Sequence, residues 1–202
     1  TDVYSCVTDL VIPDRAATSK ISRAVYQPSK KWIPGQEIRV RFLDGNESVK
    51  SKVRQYAETW EEFANIDFVF VQYGLAEIRI SFTLDKGSWS YFGKDSARQS
   101  QVKTENGSQF VRDATGASMN FGWFSPATPN DELQRVVLHE FGHALGLVHE
   151  HQSPAASIPW DREAVYEYFA GPPNFWSPDQ VEHNIFDRYS HAQANASAFD
   201  PA

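Results

Sequence analysis

Three histidines and one glutamate stand at spacings that suit a metal site with a catalytic base. Residues 139–150 read HEFGHALGLVHE. On a helix, His139 and His143 lie on one face, one turn apart, so two neutral imidazole nitrogens can reach the same ion. Glu140 lies about 100° further round the helix, close to the ion but out of line with both ligands. That is the position expected of a general base for a metal-activated water.

The residues after His143 supply a third ligand. Gly146 permits a backbone turn that a β-carbon would resist, so the chain can leave the helix and bring in His149 from another direction. Three protein ligands leave a position open for water, which is the catalytic rather than the structural arrangement of zinc. The alternative is a buried amphipathic helix, because apolar residues also surround the motif. The added glycine and the third histidine favour the zinc site.

The composition excludes several classes of function. The 202 residues fit one domain, or two small lobes around a cleft, and can bury a sizeable core. A net charge of −7 argues against nucleic acid as a partner, because phosphate neutralisation needs a basic face. No apolar run approaches the roughly 18 residues that span a bilayer, so no membrane partner is expected. Cys6 is the single cysteine, so stability must come from packing rather than from an internal disulfide.

Apolar periodicity predicts an α+β fold. Strands that alternate polar with apolar or β-branched residues are predicted at 37–42, 66–71, 77–82, 89–93 and 117–122. Apolar residues at helical spacing predict an amphipathic helix from Ser48 through Phe63. The polar stretch 94–116, which contains glycine and serine, is predicted to be a surface loop.

Capping residues predict where two later helices begin. Thr128 is the expected N-cap of the motif helix, with Pro129 in its first turn and acidic residues at 131 and 132 opposite the helix dipole. The sequence Ser-Pro-Asp-Gln at 177–180 resembles a capping box and predicts a helix that ends near Tyr189. Four prolines divide the chain between these helices into loops.

The zinc motif as a whole resembles that of the metzincin zinc peptidases. Within that group, Glu150 after the third histidine is similar to the astacin-like peptidases. The segment GSWSYFG at 87–93 resembles the upper rim of the astacin cleft, with a serine in place of a cysteine. The segment WDREAV at 160–165 resembles an Asp-Arg segment that follows the astacin zinc motif. The resemblance covers residues 35–190.

This resemblance implies a metzincin-like two-lobed zinc peptidase. A twisted mixed sheet with helices is expected above the cleft, and a loop-rich helical lobe below it. Residues 1–34 are then an irregular N-terminal extension or pro-segment remnant, and 35–202 the catalytic domain, with lobes 35–148 and 149–202. The implied enzyme is a secreted, monomeric endopeptidase that hydrolyses peptide bonds of proteins, with Glu140 as general base. The expected Zn2+ ligands are His139, His143 and His149.

A peptide substrate is expected to lie extended and to pair antiparallel with the rim strand. The predicted substrate-binding residues are Trp89, Ser90, Tyr91 and Phe92. The alternative for this strand is an aromatic edge packed on the core. Glu150 is expected either to orient a ligand histidine or to be a solvated residue at a helix end. The remaining histidines lack ligand spacing and are expected on the surface or in loops: His151, His183 and His191.

The sequence departs from the family pattern near its end. That pattern continues with a methionine-containing turn beneath the zinc, whereas the single methionine, Met119, precedes the motif. We therefore expect the turn, and with it the lower wall of the cleft, to lie beyond this sequence. A non-catalytic zinc-binding domain and a latent zymogen accordingly stay open as alternatives. In the latent form the Cys6 thiolate would occupy the open zinc position; the alternative is a lone, partly buried thiol.

Overall fold

A computed structural model describes residues 28–84, 86–97, 99–104, 107–112, 116–152, 158–171 and 175–188. The described residues divide into two compact units. The first consists of Lys30–Leu147, and the second of the described parts of Ser19–Ser29 and Val148–Ala202. Among these residues, none of the helices combines the length and the apolar character that a membrane span requires.

The first unit is built on a mixed sheet. Its strands in chain order are β1 (Gln36–Phe42), β2 (Ile66–Phe70), β3 (Ile78–Ser81), β4 (Trp89–Ser90), β5 (Gln99–Thr104), β6 (Gly107–Arg112) and β7 (Met119–Asn120). Within the described residues, five strands form one sheet in the order β2-β1-β3-β7-β4. β1 pairs in parallel with β2 and β3, β3 pairs in parallel with β7, and β4 pairs antiparallel with β7. The predicted mixed sheet is therefore confirmed.

The first helix, α1 (Glu47–Ala57), begins one residue before the predicted Ser48, and Asn46 is its N-cap. The side chain of Asn46 accepts a hydrogen bond from Ser48 N at 2.9 Å, which satisfies an amide that the helix itself cannot. The predicted continuation of the helix through Phe63 is wrong, because the chain tightens into a 3-10 helix at Glu58–Glu62. With three residues per turn, apolar positions at α-helical spacing no longer share one face, and Phe63 is 75% exposed.

The core of the first unit joins the sheet to the helix that carries the motif, α2 (Asn130–Leu145). Fully or almost fully buried side chains from β1, α1, β3, β7 and α2 form it: Ile38, Val40, Val49, Val53, Ile78, Ile80, Met119, Val137 and Phe141. The rings of Phe68 and Phe141 meet edge to face, with centroids 5.1 Å apart. Burial of this apolar surface fixes α2 against the sheet, at roughly 1.5–3 kcal/mol per large side chain.

A two-stranded hairpin replaces most of the predicted loop at 94–116. β5 and β6 pair antiparallel from Gln99↔Arg112 to Thr104↔Gly107, and a 3-10 helix at Gly93–Ala97 precedes them. The loop prediction is wrong at these strands, because their sequences lack the regular alternation of polar and apolar residues that would have predicted a strand. An Asn-Gly pair at 106–107, a common hairpin signal, was the available indication.

The second unit is helical, as predicted. Its elements are a 3-10 turn at Glu150–Gln152, α3 (Arg162–Ala170), and α4 (Pro178–Val181), which continues into a π-helical turn at Glu182–Phe186. The predicted capping box is confirmed: Gln180 N donates to Ser177 Oγ at 3.3 Å, and Ser177 N donates to Gln180 Oε1 at 2.8 Å. The helix ends at Phe186, where Asp187 is the C-cap in an extended conformation, so the predicted end near Tyr189 is three residues too late.

Aromatic packing holds the second unit together. Phe169 of α3 stacks on Trp176, with ring centroids 4.7 Å apart and planes 10° apart. Val181 and Ile185 complete a small buried cluster with Phe169. At the start of α3, the Asp161 side chain accepts from Ala164 N at 3.1 Å. This cap provides a structural role for the aspartate of the Asp-Arg segment.

Candidate metal centre

The start of α2 differs from the prediction by one residue. The N-cap is Pro129 rather than Thr128, and Pro129 therefore precedes the first turn instead of lying in it. Thr128 is engaged elsewhere, because its hydroxyl oxygen accepts a hydrogen bond from Ser125 N at 2.9 Å. Asp131 and Glu132 do lie in the first turn, where carboxylates stabilise the positive end of the helix.

α2 ends at Leu145 with Gly146 as its C-cap, at the glycine where the chain was predicted to leave the helix. Gly146 has φ +102°, a left-handed conformation that a residue with a β-carbon rarely adopts. Gly146 N donates to His143 O at 2.8 Å, and Leu147 N donates to Gly142 O at 3.0 Å. These bonds satisfy carbonyls that the end of the helix would otherwise leave open. The chain can therefore leave the helix three residues before His149.

The three predicted ligands come together. One ligand atom from each of His139, His143 and His149 lies within 4.8 Å of the other two. The rings of His139 and His143 meet edge to face, with centroids 4.6 Å apart and planes at 84°. Three imidazole nitrogens gathered in this way form a donor set that suits zinc. The residues present therefore fit a zinc ion.

The contacts of His143 select the form of imidazole that binds a metal. Its Nδ1 lies 2.8 Å from Leu147 O, and because a carbonyl only accepts, Nδ1 carries the hydrogen. Nε2 then keeps its lone pair for an ion. Burial, followed by the nearby His139, lowers the pKa of His143 to about 3, although the bond to Leu147 opposes the shift. The ring is neutral at pH 7, as a metal ligand must be.

Glu140 is buried beside these ligands. It is 1% exposed, and among the described residues neither of its carboxylate oxygens has a hydrogen-bond partner. Burial raises the pKa of Glu140 well above its ordinary value, and the positive charge of Arg135 opposes this only in part. A buried carboxylate without a partner costs folding free energy, and a cation beside it would offset that cost. The Glu140 carboxylate is thus a second observation that fits a metal ion at the three histidines.

The predicted rim strand lies at an edge of the main sheet. β4 pairs with β7 through Trp89↔Asn120 and Ser90↔Met119, and it is the last strand of that sheet in the described part of the chain. Asn120 also donates from Nδ2 to Gly87 O at 2.6 Å, which holds the segment that enters β4. The strand is therefore fixed on its inner side by both backbone and side-chain bonds.

Aromatic rings connect the rim to the motif helix. The Phe92 ring meets the His143 ring edge to face, with centroids 4.9 Å apart. The rings of Trp89 and Tyr91 lie 5.5 Å apart at 52°, and Tyr91 N donates to Ser118 O at 2.9 Å. The structure thus brings Phe92, at the end of the predicted substrate-binding segment, directly against His143, one of the three candidate ligands.

Two tryptophans that the sequence did not connect with the site contact α2. Trp60 Nε1 donates to Leu138 O at 3.0 Å, and Trp32 Nε1 donates to Ala144 O at 2.7 Å. Each of these carbonyls belongs to the residue next to a ligand histidine. A β-carbon at Gly142 would lie 3.3 Å from Trp60 Cζ2, so the glycine allows the indole to approach the helix. Neither tryptophan has a spacing that would have indicated this role.

The comparisons with known proteins agree with this geometry. A sequence model of the Matrixin peptidase family matches residues 39–165, which is more than half of the chain. The chain belongs to the matrixin family. One structure of myroilysin is 43% identical to this matrixin, with a TM-score of 0.74 over 87% of this chain and 79% of that chain. A second, a crystal structure of myroilysin, is 41% identical, with a TM-score of 0.57 over 86% of this chain and 70% of that chain.

A weaker match to this matrixin is a hatching-enzyme zinc protease from the medaka fish Oryzias latipes. It is 15% identical, with a TM-score of 0.42 over 86% of this chain and 69% of that chain. The family match and the myroilysin structures show a metzincin zinc peptidase with an α+β fold. Zinc is the cofactor of this family, and the histidine triad fits it. As a member of a peptidase family, the chain has proteins or peptides as its substrates.

The other residues singled out in the sequence have different outcomes. The backbone of Glu150 opens the 3-10 turn after the ligands, and the role of its side chain stays a prediction. Cys6 and His191 lie outside the described residues. The His183 side chain is 53% exposed, as expected for a surface histidine. His151 differs from expectation, because it is partly buried and its ring contacts the ring of His149.

Proposed function

We propose that this matrixin is a zinc-dependent endopeptidase with Glu140 as its general base. The observation that carries the proposal is the Glu140 carboxylate, buried and without a hydrogen-bond partner among the described residues, next in sequence to a ligand of the histidine triad. A structural carboxylate at such a position would be expected to have a partner. A carboxylate that exchanges protons during turnover must instead have its oxygens available. The proposed zinc ligands are His139, His143 and His149.

The proposed mechanism divides the work between the ion and the chain. A bound zinc ion would supply Lewis-acid chemistry: it would polarise the scissile carbonyl and lower the pKa of water to about 7, so that hydroxide would be accessible at neutral pH. Glu140 accepts the proton of the attacking water and then donates it to the departing amine nitrogen. The hydrogen bond from His143 Nδ1 to Leu147 O keeps Nε2 of that ring available as a ligand throughout.

We propose that the substrate backbone pairs with the outer edge of β4. β4 ends the main sheet of the described residues, and an extended peptide can add to such an edge as an antiparallel strand. The contact between Phe92 and His143 supports this position, because a peptide on β4 would pass close to the metal ligands. The proposed substrate-binding residues are Trp89, Ser90, Tyr91 and Phe92.

We also propose that the chain belongs to the astacin-like branch of the metzincins. The segments 87–93 and 160–165 and the residue Glu150 resemble the astacin-like branch, which supports placing this matrixin-family chain there. On the same resemblance we propose that the enzyme is secreted and monomeric. Glu150 is proposed to orient a ligand histidine, because residues that hydrogen-bond to metal ligands fix the orientation of the rings.

Hydrolysis of casein by the parent chain and by Glu140→Ala and Glu140→Gln tests the proposal. Both variants should retain one zinc ion and lose at least about 10²-fold in kcat, because general acid–base catalysis typically contributes 10²–10⁴-fold. Zinc content is measured on the same samples, and Asp131→Asn, a change at an exposed position in the first turn of the same helix, serves as the control. Equal turnover by parent and Glu140 variants would refute the proposed base. No turnover by any of them, with zinc retained, would indicate a non-catalytic zinc-binding domain.

A further inference from the structure

His149, the third proposed ligand, lies outside α2, in the segment that follows that helix. His149 follows the end of α2, and a short 3-10 turn, Glu150–Gln152, comes directly after it. Gln152 N donates to His149 O at 3.1 Å, which closes this turn. The His149 ring stacks on the His151 ring, with centroids 5.1 Å apart and planes only 16° apart. The two rings thus lie nearly parallel and in contact.

Two neighbouring side chains fasten the turn to the helical segment at 178–186 within the second unit. His151 Nε2 lies 3.0 Å from Asn184 O, and because the carbonyl can only accept, Nε2 carries the hydrogen and donates it. Gln152 Nε2 donates to His183 O at 3.2 Å. Gln152 is 6% exposed, so its bond is shielded from water. Two adjacent donors therefore meet two adjacent carbonyls.

These carbonyls belong to the last turn of the helix that begins with α4. The π-helical turn at Glu182–Phe186 closes with a bond of 2.8 Å from Asp187 N to Glu182 O. Carbonyls in the last turn of a helix have no amide of that helix to bind. His151 and Gln152 each donate a hydrogen bond to one of these two carbonyls. A further ring contact, between His151 and Trp160 at 6.2 Å and 88°, limits the freedom of the imidazole.

We propose that His151 is a positioning residue of the zinc site. Its Nε2–H fixes the imidazole to the helix end, and its ring face sets the plane in which the His149 imidazole lies. Ordering the ligand before the ion arrives removes part of the entropy cost of binding. The inference rests on the proposed function only in taking His149 as a zinc ligand. Its test is zinc affinity, which is independent of peptide hydrolysis.

The test compares His151→Ala, which removes ring and donor, with His151→Phe, which keeps a ring face, and His151→Gln, which keeps a donor. The dissociation constant for zinc is measured by competition with a chromogenic chelator. We expect His151→Ala to weaken zinc binding 10- to 100-fold, the range found for partners of metal ligands, and His151→Phe to recover part of that loss. His183→Ala, which removes an exposed imidazole and keeps the carbonyl that Gln152 binds, should leave the affinity within twofold of the parent.

The absorption spectrum of the Co2+-substituted protein gives a second readout. Because its visible bands depend on ligand geometry, they should shift in His151→Ala and stay unchanged in His183→Ala. An affinity of His151→Ala within twofold of the parent, or unchanged bands, would overturn the proposal. If His151→Ala does not fold, the other two variants decide: tighter zinc binding by Phe than by Gln supports positioning by the ring face, and the reverse order refutes it. A parent chain that binds zinc without cleaving casein would refute the proposed function and leave this inference intact.

Discussion

The two kinds of proposed zinc ligand are held in different ways. His139 and His143 belong to a regular helix and are 6% and 5% exposed, so their spacing follows from hydrogen bonds between near neighbours in the chain. His149 is partly buried in an irregular segment, and the ring that stacks on it is fixed through Asn184, 33 residues further along than His151. One part of the site is therefore determined locally, and the other depends on contacts distant in sequence.

The largest expected contrast comes from replacing one ligand of each kind. His143→Ala and His149→Ala should both lose stoichiometric zinc binding, because two imidazoles remain in each. In the metal-free protein, His143→Ala also removes a buried ring and its bond to Leu147, and it should lower the free energy of unfolding by about 2–3 kcal/mol. His149→Ala should lower it by less than about 1 kcal/mol. Urea unfolding after chelator treatment measures the free energy of unfolding of both variants. Equal losses in the two would contradict the view that the two histidines are held in different ways.

Removing a tryptophan hydrogen bond to α2 should lower the stability of the fold somewhat less. Trp32 is 5% exposed, and Trp32→Phe removes its donor to Ala144 O together with part of a core side chain. We expect a loss of about 2 kcal/mol in the free energy of unfolding. Trp123, whose indole is 41% exposed, is the matched control, and Trp123→Phe should change stability by less than about 0.5 kcal/mol. Denaturant midpoints that shift equally in the two variants would exclude a special role for Trp32.

Gly146 lies at the junction between α2, which carries His139 and His143, and the irregular segment that carries His149. Because Gly146 has φ +102°, Gly146→Ala places a β-carbon in the left-handed region and should cost about 1 kcal/mol. Its nearest neighbour would be 3.8 Å away, so the cost is conformational rather than steric. Gly171, with φ −83°, is the control, and Gly171→Ala should be neutral or slightly stabilising. Thermal unfolding of the two metal-free variants distinguishes these outcomes.

The smallest expected effect concerns an ion pair in the sheet that supports α2. Burial alone would raise the pKa of Glu77, but hydrogen bonds from Arg39 and its charge outweigh burial and hold that pKa below the ordinary value of 4.5. A lowered carboxyl pKa stabilises the fold above the ordinary value, and this contribution is lost as the pH falls through the lowered one. Because the Arg39 side chain is 40% exposed, the contribution should be less than about 1 kcal/mol.

Unfolding free energies measured between pH 7 and pH 3 test this contribution. The parent should lose more stability than Glu77→Gln over that interval, since the variant has no carboxyl group to protonate at this position. The second unit offers a comparison in the half-exposed pair of Arg162 and Glu182, where Glu182→Gln should change the pH dependence less. The same acid response in the parent and in Glu77→Gln would contradict the assignment.

The helix-borne half of the site could be predicted from the sequence. The spacing of His139, Glu140 and His143 and the turn at Gly146 follow from helix geometry, and the structure has them as predicted. The capping box at 177–180 is likewise a local pattern, and it is confirmed. Patterns of this kind are readable because the residues that interact are at most four positions apart.

The contacts that position α2 and His149 could not be predicted from the sequence, because most of the residues that make them are distant from one another in the chain. Trp32 and Trp60 contact α2 across 112 and 78 residues, and no periodicity connects them. The contact of His151 with His149 depends on how a 3-10 turn orients two rings, which residue spacing alone does not specify. The β5–β6 hairpin escaped prediction for another reason, since its strands lack the regular alternation of polar and apolar residues that would have predicted them.

The length of β4 has a consequence for the enzyme in solution. An exposed sheet edge that can accept a peptide can also accept the edge of another copy of the same protein, and long flat edges of this kind lead to aggregation. β4 extends over only two residues, and the chain then turns into the 3-10 helix at Gly93–Ala97. So short a ladder gives a second copy little to bind unless a further contact holds it in place. For the proposed substrate, the bound zinc would provide that contact.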